Sequence, residues 1–516
     1  MLYSTLQEAY YVYILLCSDG TYYTGLTDDL MRRFQEHVDG IYQTCYTFRR
    51  RPLELKYYET IPFLQDGIDR EIQIKGWSKS KKEALIEGNF HKLQLLAQCM
   101  NMSHDKYQDI DKIKSPLSEV LDSARTSAPD PSTPLRAMPG SPLKVGILGG
   151  GQLGRMLLQS AANYPVETHV MEKDPDCPAA HLCHHFTLGD ITNYDAVYQF
   201  GKGLDALTIE IETVNEDALL QLEQEGVKIY PRPSALKIIK NKILQKQFYK
   251  DQEIPSPEFV VTQNRTDLDT HIAFLPAVHK IGMGGYDGRG VEIIRTKDDI
   301  PNAFDAPGVL EKMVTIRKEL SIIIAADEKG DTAMYPAVDM VFDNKLNLLE
   351  YQLSPADLTD KVLWKAEAIA RKVVKDLGSP GIFAVELFVD DKDQVFVNET
   401  APRVHNSGHH TIEANFSSQF DMLWRIMLGY PLGNTAAILP AAIVNLLGAE
   451  GYSGPAVYDG LEEIMKIENV FVHIYVKKET RPVRKMGHIT ILSNEKQELI
   501  HQANRIKHNL SVRSSS

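Results

Sequence analysis

Carboxylate, guanidinium, imidazole, amide and hydroxyl groups all fall within twelve residues, Asn398-Glu399-Thr400-Ala401-Pro402-Arg403-Val404-His405-Asn406-Ser407-Gly408-His409. The cluster follows an apolar run, Val395–Val397, that reads as a short strand. So many polar groups at a strand end are costly to bury unless they bind something. Upstream, Phe383–Val389 reads as a partner strand with one acid, Glu386, in its middle. The intervening Asp391-Lys392-Asp393-Gln394 reads as a hairpin loop. Pairing Asp390 with Val395 sets Glu386 opposite Glu399. Cross-strand carboxylates lie roughly 5 Å apart and repel. A divalent cation between them turns the repulsion into a site, and magnesium suits a few carboxylates plus phosphate oxygens.

A second stretch, Lys280-Ile281-Gly282-Met283-Gly284-Gly285-Tyr286-Asp287-Gly288-Arg289-Gly290, carries five glycines in nine positions. Such a segment cannot fill a core, but its amides can approach phosphate closely, with Lys280 and Arg289 adding charge. A phosphate flap followed by a magnesium carboxylate pair is the logic of ATP-grasp enzymes. From about Pro142 onward the chain resembles the N5-carboxyaminoimidazole ribonucleotide synthetases of purine biosynthesis. The carrying motifs are Gly150-Gly151-Gln152-Leu153-Gly154-Arg155-Met156, the GGYDGRG flap, the NE-x-APR-x-HNSGH stretch and Arg484-Lys485-Met486-Gly487-His488.

The resemblance implies a set of roles. ATP would be held by Lys242, Lys280, Gly285, Tyr286, Gly288, Arg289, Gly290, the hinge Glu311-Lys312-Met313-Val314, Glu319, Asn398 and Glu399. Magnesium would sit on Glu386 and Glu399. Aminoimidazole ribonucleotide would meet Gly151, Gln152, Leu153, Tyr286, Asn406, Ser407, Lys477 and Arg484. Arg403, His405 and Lys485 would surround carboxyphosphate formed from bicarbonate, and Asp287 would lie near the acceptor amine. Family members often carry glycine or a polar residue where Val476 stands, and Asn and His where Val338-Asp339-Met340 follows Tyr335-Pro336. The resemblance also implies a homodimer through the ligase unit. A formate-dependent ribonucleotide transformylase is the alternative within the same fold.

The glycines Gly149, Gly151 and Gly154, between the apolar strand Leu143–Leu148 and a helix from Arg155, also fit a dinucleotide-binding fingerprint, with Glu172 as the ribose acid. Hydride transfer needs neither the flap nor the opposed glutamates, so a dehydrogenase ranks lower. Cys177, His181, Cys183, His184 and His185 crowd into nine residues, but no second Cys/His pair follows at finger-like spacing, so their role reads as incidental. Trp364 and Trp424 lie in helical patterns and read as core, Lys242 lies in a helix read from near Ser234, Val472–Lys477 reads as a strand, and Arg481–Lys485 reads as a basic turn.

The N-terminus tells a second story. Tyr11–Leu16 and Thr21–Gly25 form a hairpin, and Asp28–His37 and Asp69–Gly76 read as helices. The segment from about Tyr10 to Asn89 resembles the GIY-YIG nuclease domain. That resemblance implies roles for the motif tyrosines Tyr13 and Tyr23, for Arg33 and His37, and for Glu71 as holder of a second divalent ion. Val12-Tyr13-Ile14 and Tyr23-Thr24-Gly25 depart from the motif's own wording. Residues 1–100 hold 12 Lys and Arg against 13 Asp and Glu, a net of −1. Nucleic-acid contact is therefore expected only from local clusters, Arg49-Arg50-Arg51 and Lys75, Lys79, Lys81 and Lys82.

The expected architecture is α/β and α+β multidomain: a GIY-YIG-like domain over 1–100, a Pro/Ser-rich linker over 101–142, a Rossmann-like pre-ATP-grasp domain over 143–235, ATP-grasp lobes over 236–432 and a small β-rich C-terminal domain over 433–516. Five prolines and four serines between Ser123 and Pro142 carry the linker reading. The 516 residues carry a net charge of −13, which excludes nucleic-acid binding by bulk charge. Five irregularly spaced cysteines argue for a reducing compartment. With no long apolar run and no secretory pattern at Met1–Tyr10, a cytoplasmic location and no membrane partner are expected.

Overall fold

The computed structural model describes residues 10–41, 45–61, 64–86, 142–285, 290–342 and 349–515. The chain divides into two compact units, 1–127 and 128–516. Nearly all of the expected linker, and the flap residues Tyr286, Asp287, Gly288 and Arg289, lie outside the described residues.

In the first unit the strand Tyr10–Cys17 is central in an antiparallel sheet, flanked by Tyr22–Thr27 and Leu53–Ile61. Its alternation explains this: Val12 and Ile14 pack one core with Ile74 and Leu85, while Tyr13 and Leu15 pack another with Leu30. The helix Leu30–Asp39 starts at Asp29, whose carboxylate accepts the Arg32 amide at 3.0 Å, and ends at Gly40 with φ +72°. The second helix, Leu64–Lys75, begins five residues before the Asp69 expected from sequence.

The second unit opens with five parallel strands ordered His185–Leu188, Val166–Glu172, Leu143–Leu148, Ala206–Ile209, Lys228–Tyr230. The helix after the glycine loop spans Gln152–Ala161, three residues earlier than expected, because Gly151 already serves as its cap. The expected helix carrying Lys242 is two helices, Pro233–Lys240 and Lys242–Asp251. They break at Asn241, whose side chain accepts the Ile243 amide at 2.9 Å.

A four-stranded antiparallel sheet follows, ordered Val291–Ile294, Ala277–Ile281, Gly308–Lys312, Phe259–Thr262. The largest sheet has nine strands, and its main path runs Val395–Ala401, Gly381–Asp390, Ile316–Ala326, Val338–Phe342, Leu349–Ser354, Ala441–Leu447, Lys485–Leu492, Val470–Ile474. Tyr351 pairs with Val444, so the C-terminal segment continues the large sheet. The helix Asp360–Leu377 covers this sheet with Val362, Ala366, Ala370, Val373 and Val374. Trp364, expected in the core, lies on the outer face of that helix, 66% exposed, whereas Trp424 is fully buried and donates to the Leu157 carbonyl at 2.7 Å.

Three local expectations are corrected. The strand Val395–Ala401 runs four residues past Val397, so Asn398 and Glu399 lie inside it. The strand expected at Val472–Lys477 is Val470–Ile474, and Val476 takes φ +57°. Lys485, read as part of a turn, opens the strand Lys485–Leu492.

Candidate functional site

The hairpin of the two acids is in place, but through a different register. Val389, not Asp390, pairs with Val395, and Leu387 pairs with Val397. Asp390 instead closes the loop, its carboxylate accepting the Lys392 and Gln394 amides at 2.9 and 2.7 Å. A bulge between Leu387 and Glu386 leaves Asn398 unopposed and returns Glu386 to Glu399. Burial, with Glu399 adding to it, pushes the Glu386 carboxyl above the usual carboxylate range. Burial alone would raise Glu399 too, but the Lys242 ammonium in contact with it holds its carboxyl far below the usual range. A dication between them would let both ionise, and Lys242 already supplies one positive charge there. The donor set thus fits a hard, oxygen-seeking ion such as magnesium.

Lysines converge above this pair. Lys280 donates to Asn398 Oδ1 at 2.9 Å and lies 3.2 Å from Glu311 Oε2. Lys246, which sequence reasoning missed, faces the same oxygen at 3.2 Å. Both Lys246 and Glu311 are buried, and desolvation lowers the Lys246 ammonium to about 8. The Glu311 side chain is thus committed to lysines. Lys312 donates to the Phe274 carbonyl at 2.9 Å, while Met313 is exposed at the end of the strand. Glu319 lies two residues before Ser321, which pairs with Glu386, and burial raises its carboxyl. Asp339, at the departure from the family pattern, is ion-paired to Lys318. Gly290 takes φ +90°, and a Cβ there would sit 2.7 Å from Ile281 Cγ2, so only glycine closes the flap base.

His405 is held from three sides. Gln419 Oε1 accepts its amide at 2.8 Å, and Gln419 Nε2 donates to its carbonyl at 2.7 Å. Its Nδ1 meets Ser407 Oγ at 2.9 Å, and Ser407 Oγ meets Ser321 Oγ at 2.7 Å. The imidazole Nε2 then lies 3.7 Å from Glu386 Oε1. Ser407 is fully buried, so its hydroxyl orients His405. Asn406 Oδ1 is buried without a hydrogen-bond partner. Arg403 Nε lies 2.9 Å from Glu212 Oε1. Beyond His405, the rings of His409, His488 and His473 stack with centroids 4.3 and 4.4 Å apart.

The glycine loop is tied to two acids. Gly154 donates to Glu210 Oε2 at 3.0 Å and Gly150 to Glu172 Oε2 at 3.2 Å. A Cβ on Gly151 would sit 2.1 Å from Glu210 Oε1. Burial, offset by the Gly154 and Gly151 amides, leaves the Glu210 carboxyl raised to about 7. Glu172 therefore closes the loop. Glu210 and Glu212, missed in the sequence, follow the strand Ala206–Ile209, and the Ile-Glu-Ile-Glu alternation was their signal. Lys477 brings the C-terminal segment onto this loop, donating to Gln152 Oε1 at 3.1 Å and to the Lys485 carbonyl at 2.7 Å. Arg484 donates to the Glu479 carbonyl at 2.8 Å. Leu153 is buried in the helix.

In the N-terminal unit Tyr13 Oη meets His37 Nε2 at 2.8 Å, and His37 Nδ1 meets Thr47 Oγ1 at 2.8 Å. Desolvation lowers His37 to about 4 and pushes Tyr23 up to about 12, so His37 is neutral. The Tyr23 ring stands 5.1 Å from His37 and 6.3 Å from Tyr13. Gly25 pairs with Tyr13, and a Cβ there would fall 2.5 Å from the Tyr13 hydroxyl. Arg33 hydrogen-bonds Tyr13 and Glu36. Glu71 is ion-paired to Lys75 at 2.8 Å. Of the basic clusters, Arg50 is bound to Asp19 at 2.8 Å, and Arg51 donates to the Val38 carbonyl at 3.1 Å.

Comparison with known proteins gives a consistent picture. Residues 143–240 match the ribonucleotide synthetase preATP-grasp domain, 247–420 the ATP-grasp domain and 441–502 the phosphoribosylaminoimidazole carboxylase C-terminal domain. Residues 9–84 match the GIY-YIG catalytic domain. The chloroplastic phosphoribosylaminoimidazole carboxylase of Vigna aconitifolia is 36% identical over 68% of this chain, which spans 64% of that relative's length. The N5-carboxyaminoimidazole ribonucleotide synthetase structure from Thermotoga maritima is 38% identical, with a TM-score of 0.67, over 72% of this chain and all of that one. The N5-carboxyaminoimidazole synthase of Aspergillus clavatus, solved with ADP and 5-aminoimidazole ribonucleotide, is 31% identical, with a TM-score of 0.64, over 71% of this chain and all of that one. No described helix is long and apolar enough to cross a membrane.

Proposed function

The chain belongs to the N5-carboxyaminoimidazole ribonucleotide synthetase family, and on that premise we propose that it carboxylates 5-aminoimidazole ribonucleotide at the expense of ATP. The carrying observation is the opposed pair Glu386 and Glu399, ringed by Lys242, Lys280 and His405. Glu386 and Glu399 would hold magnesium, which when bound neutralises phosphate charge. ATP takes the cleft under the flap, with Lys280 on its phosphates and Glu319 toward its ribose. Bicarbonate oxygen attacks the γ-phosphorus, ADP leaves and carboxyphosphate forms. Positioning and charge neutralisation supply most of this barrier reduction. Arg403, His405 and Lys485 surround the carboxyphosphate. The substrate amine then attacks its carbonyl carbon, releasing phosphate. Asp287 is the residue assigned to that amine, and Lys477 and Gln152 to the substrate phosphate.

Phosphate release from ATP tests this reading, with magnesium and bicarbonate, with and without aminoimidazole ribonucleotide. Strong stimulation, lost in Glu399→Ala, is expected. Stimulation instead by glycinamide ribonucleotide with formate would overturn it in favour of a transformylase. A homodimer through the ligase unit and a cytoplasmic location belong to the same reading, and light scattering checks the first.

For the N-terminal unit the Tyr13–His37–Thr47 chain favours metal-dependent cleavage of a phosphodiester. Neutral His37 can take the Tyr13 proton as Tyr13 activates water, Arg33 clamps the phosphate, and Glu71 would hold the ion. Plasmid nicking with magnesium or manganese, abolished in Glu71→Ala, is the expected outcome.

A further inference from the structure

The crowded Cys177–His185 segment does not close on itself. Cys177 is buried in the core, and Cys183 points at the Ala180 carbonyl at 3.5 Å. His184 turns to Thr168, its Nδ1 2.8 Å from Oγ1. His185, one residue on, opens the edge strand and pairs in register with His169 of the neighbouring parallel strand. Glu167 and His169, two residues apart, share one face of the strand Val166–Glu172. His169 Nε2 lies 2.9 Å and His185 Nε2 3.3 Å from the same oxygen, Glu167 Oε1. The two imidazoles stack with centroids 4.6 Å apart and planes 22° apart. All three donor atoms lie within 4.8 Å of one another.

These separations have a metric meaning. Ligands bound at about 2.0–2.1 Å are roughly 3.0 Å apart at right angles and roughly 3.4 Å apart at tetrahedral angles. The observed 2.9 and 3.3 Å span that interval. Two imidazoles and one carboxylate suit a borderline transition ion rather than magnesium. We infer that Glu167, His169 and His185 form a site for a divalent transition-metal ion, with zinc as the expected occupant and remaining positions open to water at the sheet edge. His185, with its side chain 57% exposed, gives the ion access. The site clips the edge strand His185–Leu188 to its neighbour. It is separate from the nucleotide site: Glu172, which holds the glycine loop, is five residues along the strand from Glu167, roughly 17 Å at strand rise. Lys144 pairs in register with Glu167, and its charge acts on Glu167 and His169. It therefore weakens cation binding.

Full-length protein stripped with a chelator and titrated with Zn2+ and Co2+ tests this, by calorimetry and by cobalt absorption. One ion per chain is expected, retained in excess magnesium, with affinity lowered on the order of 100-fold in both His185→Ala and Glu167→Gln. Lys144→Ala is expected to tighten binding. Cobalt bands should lack the intense thiolate charge-transfer component. His185→Ala alters an exposed side chain, so its melting curve without metal should match the wild type and show that lost binding is not lost folding. No saturable binding, binding retained by either His185→Ala or Glu167→Gln, or a thiolate band would overturn the assignment.

Discussion

Replacing Glu311 by glutamine probes the buried lysine pair quantitatively. One carboxylate oxygen faces two ammonium groups, each 3.2 Å away. At an effective dielectric of about 20, each such contact is worth roughly 5 kcal/mol before desolvation. Their sum, about 10 kcal/mol, would match the whole stability of a typical domain. Lys246 escapes that penalty by titrating. Its ammonium already sits at about 8, lowered by burial and partly restored by Glu311. Without the carboxylate it sheds its proton, and at pH 7 that costs only the gap from 7 to 8, about 1 kcal/mol. Lys280 keeps Asn398 but loses a charged partner, about 1–2 kcal/mol more. The expected loss at pH 7 is therefore about 2–3 kcal/mol. At pH 9 Lys246 is mostly neutral in the wild type as well, and the loss should shrink to about 1–2 kcal/mol. A lysine whose folded value lies below its unfolded value of about 10.5 opposes folding at pH 7 and relaxes that opposition as pH rises from 8 to 10.5. The wild type should gain stability across that window relative to Lys246→Met. Urea unfolding of the ligase unit at both pH values reads this out. A loss above about 5 kcal/mol at pH 7, the unmitigated Coulomb value for one pair, or an equal loss at both pH values, would refute the titrating-lysine account.

Other outcomes are open to measurement. Val476 and Val483 hold φ of +57° and +64° while 54% and 47% exposed, so Val483→Gly should raise the ligase-unit melting transition by about 1 kcal/mol of stability. Gln419→Leu removes both hydrogen bonds to the His405 backbone. Turnover should fall more than tenfold with KM for ATP little changed, and stability should drop by about 2 kcal/mol. Gly25→Ala drives a methyl group into the Tyr13 hydroxyl, so the N-terminal unit should lose about 1–3 kcal/mol and any nicking activity, while nucleotide-stimulated phosphate release is unaffected.

The opposed glutamates were legible because a four-residue loop between two apolar runs leaves few registers. The bulge beside Glu386 was not, since nothing in Asn398 marks it as the unpaired residue, and two one-residue errors cancelled. Lys246 was illegible for another reason. On its helix it looks like a surface lysine, and only the strand carrying Glu311 buries it. Glu210 and Glu212 read as ordinary alternation until the glycine loop folds over them. Glycine and proline punctuation is legible because backbone constraints act locally, whereas burial of a charge is decided by segments far away in the chain.

The nine-stranded sheet constrains which parts can move. Backbone pairing from Glu399 through Glu319 to Lys485 makes the two acids, Glu319 and the basic C-terminal strand one continuous platform. Among the described residues the backbone of the four-stranded sheet pairs with no other sheet, and the chain enters and leaves it through two short crossings, 252–258 and 313–315. On the proposed function, any opening of the nucleotide cleft is therefore expected at those two crossings rather than within the large sheet. The two acids, Glu319 and the basic C-terminal strand thus share one sheet, while Lys280 and the base of the flap stand on another.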